Sequence, residues 1–172
     1  MNTGQSMLAM GAMMLLSFLV LRFNSIHLTS AQASYNSKFG IVATSLANSL
    51  IEEAKDKAFD VVALDTTKTI TSATDFSTTL GKETGEAYPD FDDFDDYNNL
   101  YYLDTLSLRN PQTGAATGFE IRSKVEYVTD ANPDVKSANK TYHKKMTVSV
   151  FSSAMIDTVK LTTVFSFWTL LE

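Results

Sequence analysis

No Asp, Glu, Lys or Arg occurs before Arg22, and residues 7–21 read MLAMGAMMLLSFLVL. A helix crossing the hydrocarbon core of a bilayer needs about 20 apolar residues. Residues 1–21 reach that length when Asn2, Thr3, Gln5 and Ser6 sit at the far interface. Three uses of such a segment compete: a cleaved secretory signal, a plain membrane anchor, and a helix that passes from the membrane into the core of an assembly. A secretory signal carries a basic n-region and a small-residue cleavage site after its apolar run. Here neither Lys nor Arg precedes the run, and Arg22-Phe23-Asn24 follows it. The anchor and the assembly helix are the stronger readings.

The segment does not stop at Arg22 as a helix former. No proline occurs before Pro89, and Phe39, Val42, Ala43, Leu46, Leu50 and Ala54 recur three and four apart, which is the apolar stripe of an amphipathic helix. Glu53 and Lys57 form an i, i+4 pair of favourable orientation. The pattern predicts one helix from Thr3 to Ala58, on the order of 80 Å long at 1.5 Å per residue. Gly11 and Gly40 are its weak points, each costing about 1 kcal/mol relative to Ala.

Beyond Asp60 the chain turns Thr-rich and polar, which reads as a surface connection with at most one short element. Alternation of period two then marks four strands, over residues 100–108, 118–128, 142–152 and 159–171. In the second, Phe119, Ile121, Val125 and Tyr127 share one face while Glu120, Arg122, Lys124 and Glu126 share the other, as in a sheet with one wet side. Turn signals at residues 110–114 and 130–134 and a polar break near Asp157 separate the strands. The expected fold is α+β: one long N-terminal helix packed by its C-terminal half on an antiparallel sheet of about four strands. Its parts are an apolar membrane or filament-core helix (residues 1–24), an amphipathic continuation (25–60), a loop region with an acidic run (61–99) and a β-sheet head (100–172).

With 172 residues, 44% of them hydrophobic, the chain has material for one folded unit. A net charge of −6 argues against a general nucleic-acid surface, which needs clustered Lys and Arg. The absence of cysteine removes disulfides and thiolate metal sites and leaves packing, hydrogen bonds or an oxygen-ligated ion.

The acidic run Asp90, Asp92, Asp93, Asp95 and Asp96, punctuated by Phe91, Phe94 and Tyr97, is the best candidate for a specific site. Calcium takes six to eight hard oxygen ligands and would relieve the repulsion among these carboxylates. The run has neither the glycine nor the terminal glutamate of an EF-hand loop. A calcium site, a solvated acidic loop with aromatic anchors and a contact surface for a basic patch all remain open. His27 and His143 have no acidic residue at a metal-ligand spacing, and no phosphate loop, nucleophile elbow or paired-acid motif is present, so no enzyme activity and no cofactor other than calcium are expected. Lys144 and Lys145 read as charges that keep an exposed strand from pairing with other chains. Phe165, Phe167 and Trp168 place aromatics on both faces of the last strand, as if it were covered on both sides.

The N-terminus resembles that of type IV pilins and of the pseudopilins of type II secretion systems: a short leader ending in Gly, an uninterrupted apolar stretch, and one helix running into a β-sheet head. Residues 1–4 (MNTG) correspond to the leader, with cleavage between Gly4 and Gln5. Residues 47–54 with Phe59 and Asp60 are similar to the helix end of minor pilin-like proteins, and residues 91–97 (FDDFDDY) to an acidic-aromatic motif of some of them. Three features depart from the pattern: the leader has no basic residue, the fifth mature position, commonly Glu, is Ala9, and the proline that often breaks the family's helix near its membrane exit is missing, with Arg22 and Phe23 in that region.

The resemblance implies a non-enzymatic structural subunit of a filament or pseudopilus. Such a subunit rests in the inner membrane before assembly and in an extracellular filament afterwards, with copies of itself and an assembly machine as partners. Its assembly surface would be Met7, Leu8, Ala9, Met10, Gly11, Met14, Leu15, Phe18 and Leu19, where lipid contacts are exchanged for contacts with sister helices and the small residues allow close approach. The alternative is a membrane-anchored, monomeric extracytoplasmic binding protein; a membrane-tethered hydrolase ranks third.

Overall fold

A computed structural model describes residues 3–109, 114 and 116–170. The chain divides into two units, Met1–Lys38 and Phe39–Glu172. Helix α1 spans Thr3–Lys55, in agreement with the helical periodicity and three residues short of the expected end. Its end tightens: Asp56 N–H still reaches Glu52 O, four residues back, but Lys57 N–H bonds to Ala54 O, three back. Lys57 therefore lies beyond the helix, and the expected Glu53–Lys57 pair gives way to another arrangement: Glu53 accepts from Tyr97 (2.8 Å) and Tyr88 (3.3 Å).

Within the second unit, α1 buries Phe39, Ala43, Ala47, Leu50, Ile51 and Ala54. Val42 and Leu46, expected in the stripe, flank it half-buried. The three buried alanines, Phe39, Leu50 and Ile51 belong to one core cluster with the inward side chains of the sheet, and Phe39 meets the Phe119 ring at 6.2 Å. Each large apolar group so buried contributes about 1.5–3 kcal/mol.

The sheet is antiparallel throughout. Strands β1 (Tyr101–Arg109), β2 (Ala116–Thr129), β4 (His143–Phe151) and β5 (Val159–Ser166) stand in the order β1-β2-β4-β5, and β3 (Asn132–Lys136) pairs with β2. These are the expected strands plus one. The segment 130–134, read from its Asn-Pro-Asp as a turn, instead turns at Asp130 and Ala131 and enters β3; Pro133 is tolerated there because β3 is short, exposed and at the sheet margin. Of the expected turn at residues 110–114, only Gly114 is among the described residues, at φ +68°; residue 171, the expected end of the last strand, also lies outside them.

On the inner face, Phe119, Ile121, Val125 and Tyr127 of β2 meet Met146, Val148 and Val150 of β4, all buried. The outer face carries the pairs Arg122–Glu120 and Lys124–Glu126, whose cations are exposed while the acids are half-buried, worth about 1 kcal/mol each at most. After Ser166 the chain leaves the sheet in a 3-10 helix, Phe167–Leu170. That turn, not a second covering layer, accounts for the aromatics on both faces: Phe165 is buried, Phe167 turns inward onto Phe59 and Phe76, and Trp168 packs on Tyr142.

Residues 61–99, expected to be a surface connection, contain three short helical elements: α2 (Val61–Leu64) and 3-10 helices at Ala73–Asp75 and Asp95–Tyr97. The region buries Phe76, Phe91, Phe94 and Tyr97 in the core. A parallel bridge between Ala58 and Asp93 ties the region to the chain just after α1.

Candidate functional site: the apolar helix and the buried acidic cluster

The expected assembly surface lies on α1. Met7, Leu8, Met10, Met14, Leu15, Phe18 and Leu19 are all exposed, from 77% at Met7 to 58% at Phe18. Ala9 is exposed, and at Gly11 an added Cβ would meet nothing within 4 Å, so both small residues leave the helix surface open to close approach. The only polar side chain in residues 7–21 is Ser17, whose Oγ donates to Met13 O at 2.9 Å. That bond satisfies the hydroxyl inside the helix, which suits surroundings without water. Arg22, the first charge, lies 5.2 Å from the Phe18 ring. The helix is long and apolar enough to cross a membrane, by length and composition. Gly4 and Gln5, the expected cleavage position, are exposed in its first turn.

The acidic run divides into two environments. Asp90 and Asp92 are exposed, whereas Asp93, Asp95 and Asp96 are buried, with Phe91, Phe94 and Tyr97 inserted into the core as anchors. The aromatic anchors of the solvated-loop reading are therefore present, but the solvation is not. Asp93 Oδ1 accepts from the backbone N–H of Asp95 (2.8 Å) and Asp96 (3.2 Å), and Asp96 Oδ2 accepts from those of Asp92 (3.1 Å) and Asp93 (3.2 Å). These reciprocal bonds wind the run into its 3-10 turn and force the carboxylates inward.

Lys144 corrects a second expectation. It is fully buried, because β4 lies between β2 and β5 and its inward positions are Lys144, Met146, Val148 and Val150. In the cross-strand row it sits between Tyr127 and Phe165. Its ammonium uses all three donors, to Phe59 O (2.6 Å), Asp60 Oδ2 (2.8 Å) and Asp95 Oδ1, and lies 4.5 Å from the Phe59 ring. Lys145, by contrast, donates to Asp134 O on the exposed side.

Asp60 is the most heavily bonded acid. It accepts from Ser77 N–H (3.0 Å) and Oγ (2.9 Å), from Val62 N–H as the cap of α2, from Tyr127 Oη and from Lys144. Burial opposes its ionisation, but the charge and hydrogen bond of Lys144, with the Ser77 and Val62 amides, hold its carboxyl below the ordinary value. For Asp95 the balance goes the other way: burial outweighs Lys144 and raises it. Burial and the charges of Asp95 and Asp96 push Asp93 up to about 8. Burial, the neighbouring Glu86 and the charge of Asp96 push Glu83 up to about 7.

Among the described residues, Asp60, Asp93, Asp95 and Asp96 are thus four buried acids, and the buried cation, Lys144, is bonded to Asp60 and Asp95. Glu83 and Glu86, which the sequence reading passed over, join Asp92 and Asp96 in a group whose ligand oxygens lie within 4.8 Å of one another. Asp90, Asp93 and Asp95 do not belong to that group. Of the histidines, His143 Nε2 is 2.8 Å from Asp130, and His27 packs edge-on against Phe23.

No protein-family model, no curated protein and no solved structure matches this chain.

Proposed function

We propose that this protein is a non-enzymatic structural subunit of a type IV pilus-like filament or pseudopilus, polymerising through the apolar part of α1. The observation that supports this most directly is the exposed, uncharged surface of residues 7–21, with its one hydroxyl bonded internally. In a bilayer that surface faces acyl chains. In a filament it packs on sister helices, with Ala9, Gly11 and Ala12 letting backbones approach. Methionines at 7, 10, 13 and 14 suit a surface that repacks between the two, because the unbranched thioether adapts to irregular gaps. The subunit waits in the inner membrane, an assembly machine extracts it, and the β-sheet unit is displayed at the cell surface.

Ala9 favours a second reading, since a Glu at that position is what commonly registers incoming subunits in pilins. In that reading α1 is a permanent anchor for a monomeric extracytoplasmic binding protein. Electron microscopy of material sheared from cells expressing the chain separates the two. Micrometre filaments containing this protein are the expected result; detergent-soluble monomers alone would replace the filament by the anchor. Mass spectrometry of the mature N-terminus then tests processing, with Gln5 expected as the first residue.

A further inference from the structure

The acids around Asp96 present an electrostatic problem that Lys144 does not solve. Lys144 is committed to Asp60 and Asp95. On the other side of the 3-10 turn, Asp96 has one oxygen, Oδ2, held by two backbone amides, while Oδ1 is buried without a partner although the residue is only 1% exposed. Glu83 Oε2 is also buried and unpartnered. These two carboxylate oxygens, set against each other and against Glu86 and Asp92, form an arrangement that is costly unless a proton or a metal cation sits among them, and a metal ion can serve all four acids at once.

We propose that Glu83, Glu86, Asp92 and Asp96 form a binding site for one calcium ion. The backbone is arranged for it. Glu86 N–H bonds to Glu83 O and Glu83 N–H to Glu86 Oε2 (2.9 Å), in a turn whose Gly85 takes φ +104°, a conformation that L side chains rarely adopt. This turn supplies two carboxylates from one side. The Asp92 and Asp96 pair, locked by the Asp92 amide, supplies two from the other.

The donor set is all hard oxygen, which selects calcium or magnesium over softer metals. The number of protein ligands chooses between these: calcium takes six to eight oxygens, whereas magnesium keeps several of its waters and is bound by one or two carboxylates. Four carboxylates whose oxygens lie within 4.8 Å of one another suit calcium better. Asp92 is exposed, which gives the ion a route in and leaves room for waters to complete the coordination. Bound there, the ion would pin the 83–86 turn to the acidic run and so brace the core anchors Phe91, Phe94 and Tyr97. The assignment is independent of what α1 does: it holds for a filament subunit or an anchored monomer.

The test is thermal unfolding of the full-length chain in detergent micelles after chelator treatment, titrated with calcium chloride and separately with magnesium chloride. Calcium at roughly 10 mM should raise the midpoint by about 5 °C or more and saturate, given the millimolar or tighter affinity of extracellular sites. Magnesium at the same concentration should give less than half of that. Asp92→Asn, at an exposed position where folding is safe, should keep the metal-free midpoint and weaken the calcium response at least tenfold, as should Glu86→Gln. A wild-type midpoint unmoved by calcium, an equal response to magnesium, or an undiminished response in Asp92→Asn would each overturn the assignment.

Discussion

Two stretches of one helix use apolar side chains in opposite ways. Before Lys38, α1 exposes Met7, Leu15 and Phe18; after it, Phe39, Leu50 and Ile51 are buried. The composition of the two stretches explains this. Residues 7–21 are apolar all round, so no rotation of the helix against a single face hides them from water. The later stretch carries a single stripe with Glu52, Glu53 and Lys55 around it, a pattern that one sheet face can cover. Under the proposed function one segment is completed by an assembly or a membrane; the other is complete within the chain.

The largest test of that contrast is Ala9→Arg. A charge in the apolar stretch costs about 2.5–3.5 kcal/mol in a membrane-centre position and more against packed neighbours. Filaments in sheared fractions should disappear while the unfolding midpoint of the β-sheet unit stays within about 1 °C. Filaments of normal number would count against assembly through this surface.

Next comes Lys144→Met, which strands Asp60 and Asp95 in the core. Chemical denaturation should show a loss of about 3–5 kcal/mol, whereas Lys145→Met, one residue away on the exposed side, should change stability by less than about 0.5 kcal/mol. Equal effects would mean that the buried triad has been misread.

The same substitution at two places on α1 sharpens the comparison further. Leu50→Ala empties a buried position and should cost about 2–5 kcal/mol. Leu15→Ala, 72% exposed, should leave the unfolding free energy within about 0.5 kcal/mol. A large loss at Leu15 would indicate that the first stretch is packed within its own chain.

The smallest effect concerns acid. Asp60, facing Lys144, Tyr127 and Asp95, has its carboxyl held below the ordinary value. The folded chain therefore resists protonating it at a pH where the unfolded chain already does so. The stabilisation is complete above the unfolded value, about 3.9, and is lost as pH falls through the folded one. Wild type should lose stability below about pH 4 more steeply than Asp60→Asn; parallel curves would remove Asp60 from the acid transition.

Much of the fold was legible because its signals are short-range. The helical stripe and the alternation in β2 each express a period of a few residues, and the elements observed follow them. The burial of Lys144 was also within reach: it shares parity with Met146, Val148 and Val150, and taking the alternation literally would have turned it inward. Glu83 and Glu86 carried no comparable mark, since two acids three apart in a polar loop look the same whether or not they meet Asp96. Pro133 concealed β3 because its propensity argues against a strand except at a sheet margin, and margins are not visible in one dimension.

By itself, the sequence determined that an uncharged apolar segment leads into an amphipathic helix and then alternating strands, since hydrophobic run length and periodicity are properties of neighbours along a chain. Only the tertiary structure decided which charges are buried and what they meet. Asp60, Asp95 and Lys144 are separated by tens of residues, and the strand order together with the infolding of residues 61–99 brings them within hydrogen-bonding distance. Whether a carboxylate is solvated, paired or in need of an ion depends on its neighbours in space, and those are set by the packing of the whole β-sheet unit.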